Sequence, residues 1–138
     1  MKKMNVIVVF DKNLQKTLMC KRTKEPYMGM YNLVGGKIEK ENEGLNEAYR
    51  ELEEETGFKA GNVEWLMTSR SMVAFCNEKV EIFVATDLIP SEQNLDEEES
   101  IELEEYTMEE LKEKIFKGEI QDSKTVAGLL AYAVKYNK

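Results

Sequence analysis

One segment limits what this chain can be more than any other. Residues Ala48 to Gly57 read A-Y-R-E-L-E-E-E-T-G, a short way downstream of a Gly35-Gly36 pair. Leu45, Ala48, Tyr49 and Leu52 recur at i, i+3, i+4 and i+7, which makes one apolar helix face. Glu47, Glu51, Glu54 and Glu55 recur at i, i+4, i+7 and i+8 on a different side. Like charges at this spacing destabilise an isolated helix by roughly 0.2–0.5 kcal/mol per pair, so something should compensate. Arg50 compensates in part, from the position four residues before Glu54. A divalent cation would do so more fully, because hard cations take clustered oxygen ligands. A Glu-rich helix is also an ordinary solvated face. The glycine pair weighs against that plain reading: backbone free to adopt φ > 0 can approach a ligand closely, and its carbonyl could complete a cation site. Gly57 closes the helix as the residue past its C-cap.

Composition narrows the chemistry. The chain has 138 residues and no histidine. Imidazole general bases, Ser-His and Cys-His pairs and His-ligated metals are therefore excluded. Two cysteines, Cys20 and Cys76, cannot build a four-thiolate zinc site. Catalysis would rest on carboxylates, amines, hydroxyls, backbone groups or a hard metal. The formal charge is −8, which disfavours a nucleic-acid polymer or an anionic membrane surface as partner. The apolar run Val6 to Phe10 is too short for a secretory core or a membrane span. The expectation is a cytoplasmic, reduced protein, monomer or homodimer, with one domain over 1–138 and no disulfide.

The pattern along the chain mixes strands and helices. Asn5–Phe10 reads as a buried strand and Lys16–Arg22 as its hairpin partner. Tyr31–Val34 is a short extended piece ending at the glycine pair, and the helix runs from about Asn42 to Thr56. Val63–Phe75 and Val80–Leu88 read as strands around a turn at Cys76-Asn77-Glu78, and Ile101–Leu103 as a short strand. Thr107 and Glu110 form a capping box for a helix through Phe116, and Asp122 or Ser123 caps a last helix to Tyr136. This order predicts an α+β fold or an αβα sandwich on a mixed sheet.

Gly36 to Phe58 resembles the Nudix box, G-x5-E-x7-R-E-U-x-E-E-x-G-U, where U is a bulky apolar residue. Gly36, Arg50, Glu51, Leu52, Glu54, Glu55, Gly57 and Phe58 match in register. The first box glutamate is replaced by Asn42, between Glu41 and Glu43. The resemblance implies a Nudix-type αβα sandwich with a central mixed β-sheet. It also implies hydrolysis of a nucleoside diphosphate linked to another group, a small-molecule substrate, with Mg²⁺ or Mn²⁺. By position, Glu51, Glu54 and Glu55 would hold the metal with the Gly35 carbonyl, and Arg50 would orient the glutamates. Such enzymes often use one more carboxylate outside the box. Glu78 is taken as that residue, with Glu81 and Glu97-Glu98-Glu99 as alternatives.

Substrate choice lies elsewhere. Arg22 to Gly36 looks like the MutT-type nucleoside triphosphate pyrophosphohydrolases, and within it Gly29 to Gly36, G-M-Y-N-L-V-G-G, is similar to those acting on oxidised purines such as 8-oxo-dGTP. The resemblance makes Asn32 and Asp122 base-reading candidates, next to Gly36 in the substrate site. Arg22, at a strand end, is a candidate for the phosphates. Each also has an ordinary reading: Asn32 a turn residue, Asp122 a helix cap, Arg22 a solvent-facing base. Gly118 to Leu130 instead looks like the tail of ADP-ribose pyrophosphatases. The favoured substrate is a purine nucleoside triphosphate, with ADP-ribose hydrolysis, or nucleotide sensing without turnover, as the alternatives. Tyr31 is the preferred aromatic for stacking on a base, while Trp65 and Phe75 are expected to fill the core.

Overall fold

The computed structural model describes residues 2–11, 15–38, 44–75, 77–91 and 101–138. Two sheets and three helices build it. The larger sheet has the order β4-β1-β6-β5, from Val34–Lys37, Lys2–Val9, Glu78–Pro90 and Phe58–Arg70. The smaller has the order β3-β2-β7, from Tyr31–Asn32, Lys16–Arg22 and Ile101–Thr107. The helices are α1 (Gly44–Thr56), α2 (Met108–Phe116) and α3 (Ser123–Tyr136). β1 runs parallel to β6 and antiparallel to β4, so the central sheet is mixed, as expected.

The apolar runs of β1 and β6 follow from burial on both faces. Val6, Val8, Val80, Ile82 and Val84 pack with Leu129 and Ala133 of α3 and Leu111 of α2. The alternate residues Ile7, Val9, Phe83 and Ala85 pack with Ala48 and Leu52 of α1. Helices thus cover the sheet on both sides, which is the expected αβα arrangement. No helix among the described residues is long and apolar enough to cross a membrane.

The helix ends follow their sequence signals. Thr107 caps α2, with both bonds of the capping box to Glu110 present. Asp122 caps α3. Gly57, at φ 77°, ends α1 in the left-handed region that glycine occupies without strain.

Five expectations need correction. β2 does not pair with β1 as the second arm of a hairpin: among the described residues the two segments meet at the bridge Phe10–Thr17 and the bond from Asp11 N–H to the Lys16 carbonyl, beyond the end of β1, before β2 joins β3 and β7. Both edges of β1 are already taken, by β4 and β6. Next, β5 starts at Phe58, straight after the helix, and ends at Arg70, so Phe75 lies in the connecting turn. Trp65 and Phe75 are exposed, not core, because β5 is an edge strand and the turn projects past the layers. Leu45, in the first turn of α1, is also largely exposed, so the buried stripe of the helix is Ala48 and Leu52. Finally, the glycine pair lies inside β4, Val34–Lys37. Asn42, Cys76 and Glu97-Glu98-Glu99 lie outside the described residues.

Leu52 is wholly buried and Leu45 is not. Leu52→Ala should therefore cost about 2–5 kcal/mol in urea unfolding, and Leu45→Ala under about 1 kcal/mol.

Candidate active site

The glutamate stripe of α1 is organised by one guanidinium. Arg50 Nη1 donates to Glu54 Oε2 at 2.8 Å, and Nη2 to Glu47 Oε2 at 2.5 Å and Glu51 Oε1 at 3.1 Å. The hydrogen bond to Glu47, against some desolvation, holds the Arg50 pKa above its ordinary value. Glu55 turns to the sheet, where its Oε2 accepts from the Gly35 N–H at 3.1 Å. The stripe expected from spacing is thus real, and Glu47 belongs to the same ion-pair group.

The glycines matter for space. A Cβ on Gly35 would lie 2.2 Å from the Asn5 carbonyl oxygen of β1, a hard clash. A Cβ on Gly36 would lie 2.8 Å from Glu51 Oε1 and 3.0 Å from its Oε2. The missing side chains let β4 meet β1 and let the Glu51 carboxylate lie on the strand. The reason for glycine here is close approach and not the φ > 0 freedom expected from sequence: neither residue is among those with positive φ.

Cross-strand register puts a second group on the same face. Gly36 of β4 pairs with Asn5 of β1, Asn5 with Glu81 of β6, and Glu81 with Thr68 of β5. Glu81 Oε2 accepts from Trp65 Nε1 at 2.8 Å and Thr68 Oγ1 at 2.7 Å, and Lys79 Nζ lies 3.2 Å from Oε1. An irregularity in β5 between Trp65 and Met67 lets both Trp65 and Thr68 reach it. Burial pushes the Glu81 carboxyl up, but the bonds from Thr68, Trp65 and Lys79 outweigh it and hold the group below its usual value. Glu78 accepts from Ser71 Oγ and has the strand parity of Val80 and Ile82, which pack under α3. Glu81 has the parity of Phe83 and Ala85, which pack under α1. Of the two carboxylates, Glu81 therefore shares the face of the glutamate helix.

The donor set fits a hard divalent cation. Glu51, Glu54 and Glu55 offer only oxygen, Arg50 leaves its three carboxylates net negative, and the space over Gly36 is one that a Cβ would fill. Among the described residues no three such side chains converge tightly enough to hold an ion in this conformation. Holding one requires glutamates to turn away from Arg50.

A separate cavity of about 600 Å³ is lined by Arg22, Tyr27, Asn32, Asp122 and Lys124, among others. It brings together all three substrate candidates drawn from outside the box. The buried Thr125 hydroxyl makes this possible: it accepts from Leu33 N–H at 3.1 Å and donates to Asp122 Oδ2 at 2.6 Å. The start of α3 is thereby tied to the strand carrying Asn32. Thr125 escaped the sequence reading because a threonine in a first helical turn carries no sign of a long-range partner. Asp122 does cap α3, accepting from Thr125 N, and pairs with Lys124 at 2.8 Å. Arg22 Nε donates to the Pro26 carbonyl at 2.9 Å, so it shapes the 23–30 loop as well as lining the cavity. Tyr31 is not the open stacking face: its ring is buried edge-on to Tyr106, and its hydroxyl bonds Glu104 and Tyr106. Tyr27 is the exposed aromatic at the cavity, held at φ 65°, where a non-glycine backbone is strained.

Comparison with known proteins bears on the family and the fold. A family model for the NUDIX domain matches residues 1–129. The chain is 35% identical over 124 residues to a methanol dehydrogenase activator from Bacillus methanolicus, covering 88% of this chain and 67% of that protein. It is 33% identical over 134 residues to an ADP-ribose pyrophosphatase from Bacillus subtilis (strain 168), covering 95% and 69%. Among solved structures, an ADP compounds hydrolase superposes with a TM-score of 0.85 at 20% identity, covering 99% of this chain and 73% of that one. A MutT NUDIX hydrolase from Burkholderia pseudomallei superposes at 0.70 and 15% identity, covering 94% and 96%.

Because its folded-state pKa is depressed, Glu81 contributes stability that is full above the ordinary carboxylate pKa and fades as pH falls through the folded value. Urea unfolding of wild type and Glu81→Gln should differ by roughly 1 kcal/mol at pH 7, with the gap closing toward pH 3.

Proposed function

The chain belongs to the Nudix family of hydrolases acting on phosphoric anhydrides, and from that premise we propose that it cleaves the diphosphate of an ADP-ribose-type nucleoside diphosphate with Mg²⁺ or Mn²⁺. The observation that carries the substrate class is its 33% identity, across 95% of its length, to a protein named ADP-ribose pyrophosphatase. This reverses the preference drawn from the Gly29–Gly36 motif. The cavity is of a size that suits a nucleoside. Asn32 and Asp122 offer it an amide and a carboxylate, and Tyr27 an aromatic face. A purine nucleoside triphosphate is the second reading, favoured by the meeting of Asn32 and Asp122 at that cavity.

Glu51, Glu54 and Glu55 would hold the metal, with the Gly35 carbonyl as a further candidate ligand. The bound ions would neutralise the diphosphate and acidify the attacking water, which is why a chain without histidine suffices. Arg50 keeps the glutamates gathered before loading. Glu81 is the candidate for the outlying carboxylate, ionised and fixed on the same sheet face. Water adds to one phosphorus as the bridging P–O bond breaks. ADP-ribose would give AMP and ribose 5-phosphate, and a triphosphate would give a monophosphate and pyrophosphate.

Chromatographic product analysis on ADP-ribose, NADH, diadenosine polyphosphates and common and 8-oxo triphosphates decides between the readings. Highest kcat/KM on ADP-ribose is expected. Preference for a triphosphate would move the assignment to the second reading, and no turnover of any compound by the folded protein would leave nucleotide sensing. Glu54→Gln should lower kcat by a factor of about 100 or more while leaving the melting temperature within a few degrees. Asn32→Ala should instead act mainly on KM, with loss of discrimination between bases.

A further inference from the structure

Two buried side-chain polar atoms lack a hydrogen-bond partner among the described residues, Thr17 Oγ1 and Asn5 Nδ2. A hydroxyl can rotate to find an acceptor, but the planar amide of Asn5 is pinned. Asn5 is wholly buried, and its Oδ1 accepts from the Gly36 N–H at 3.1 Å. Exchanging the amide's two ends would set N–H against N–H, so the Gly36 bond fixes which end of the amide carries the unmatched donor. Leaving a buried donor unmatched costs about 1–3 kcal/mol. The next residues on this face of β1, Ile7 and Val9, are aliphatic.

The surroundings supply a reason for the donor. Asn5 lies in the register row between Gly36 and Glu81 on the α1 face. The Glu51 carboxylate rests on Gly36, with Oε1 drawn toward Arg50 Nη2. The Asn5 amide therefore forms part of the floor beneath the metal-binding candidates. A donor cannot ligate a cation; it can hold an anion that does. We propose that Asn5 is a positioning residue for Glu51: when Glu51 turns from Arg50 to a divalent cation, Asn5 Nδ2 donates to its carboxylate and fixes the ligating orientation. This inference rests on the metal-site reading above. Partners behind a metal ligand typically change metal affinity by 10–100-fold.

The test is Mn²⁺ binding without substrate, followed by the electron paramagnetic resonance signal of free Mn²⁺. The variants are Asn5→Ala, Asn5→Leu, Glu51→Asp and the Asn5→Ala/Glu51→Asp double. Glu51→Asp keeps a carboxylate but withdraws it by one methylene from the floor. Asn5→Ala should weaken Mn²⁺ binding about 10-fold or more in the wild-type background and less than about 2-fold in the Glu51→Asp background. Asn5→Leu, closer in volume, guards against a folding defect: a packing role would restore affinity in Leu, whereas the proposed role leaves it weak. Equal loss in both backgrounds, or no loss in either, overturns the proposal, as does unchanged Mn²⁺ binding with a raised substrate KM. If wild type binds no Mn²⁺, the metal reading falls and the proposal with it. If wild type binds and Glu51→Asp weakens it without coupling to Asn5, only the proposal falls.

Discussion

The close approach of β4 to β1 governs the rest of this molecule. At Gly35 there is no room for even a methyl group, since a Cβ would overlap the Asn5 carbonyl. At Gly36 that room is taken by the Glu51 carboxylate. These two absences let α1 lie low over the sheet, with Leu52 and Ala48 in the core and Glu55 bonded to the Gly35 N–H. A side chain at Gly35 would force β4 and β1 apart, and one at Gly36 would displace the Glu51 carboxylate. Core packing and the assembly of charge then depend on the same two residues.

That coupling explains how so acidic a helix is kept. Burial of Ala48 and Leu52 fixes the helix axis, and the carboxylates follow from the 3.6-residue period whether or not they repel. Arg50 offsets part of the repulsion through three glutamates at once, which its planar, multi-donor guanidinium permits and a lysine would not. Because the group stays net negative, it retains an appetite for further cationic charge.

Much of this was legible because period and caps are local. The capping box Thr107/Glu110, the Asp122 cap, Gly57 at the end of α1 and the glutamate stripe all express spacing along one element. What was not legible was pairing. Lys16–Arg22 looks like the second arm of a hairpin, and nothing within it says that β4 and β6 already flank β1. Trp65 reads as core by composition, yet its indole N–H is spent on Glu81 at an edge strand. Glycine was recognised as necessary at 35 and 36, but turn freedom and close packing leave the same letter in the sequence, and only the Asn5 carbonyl distinguishes them. At the cavity, sequence resemblance named Asn32 and Asp122, while their meeting depends on Thr125, whose role needs a partner 92 positions away in the chain.

The two halves of the candidate site are therefore built on different principles. The carboxylate half sits on a helix and on register-paired strands, where backbone geometry sets position closely and a misplaced side chain is costly. The cavity half hangs on the 23–30 loop and one helix cap, with Arg22 holding the loop through the Pro26 carbonyl and Tyr27 kept in a left-handed backbone. Loops accept substitution more readily than paired strands do. On the proposed reading, variation at Tyr27 in that loop would redirect which nucleoside enters while the diphosphate chemistry stays in place. This is the physical form of the family's split between a constant reaction and a changeable substrate. It also accounts for why a triphosphate-like motif and kinship to an ADP-ribose pyrophosphatase can coexist in one chain.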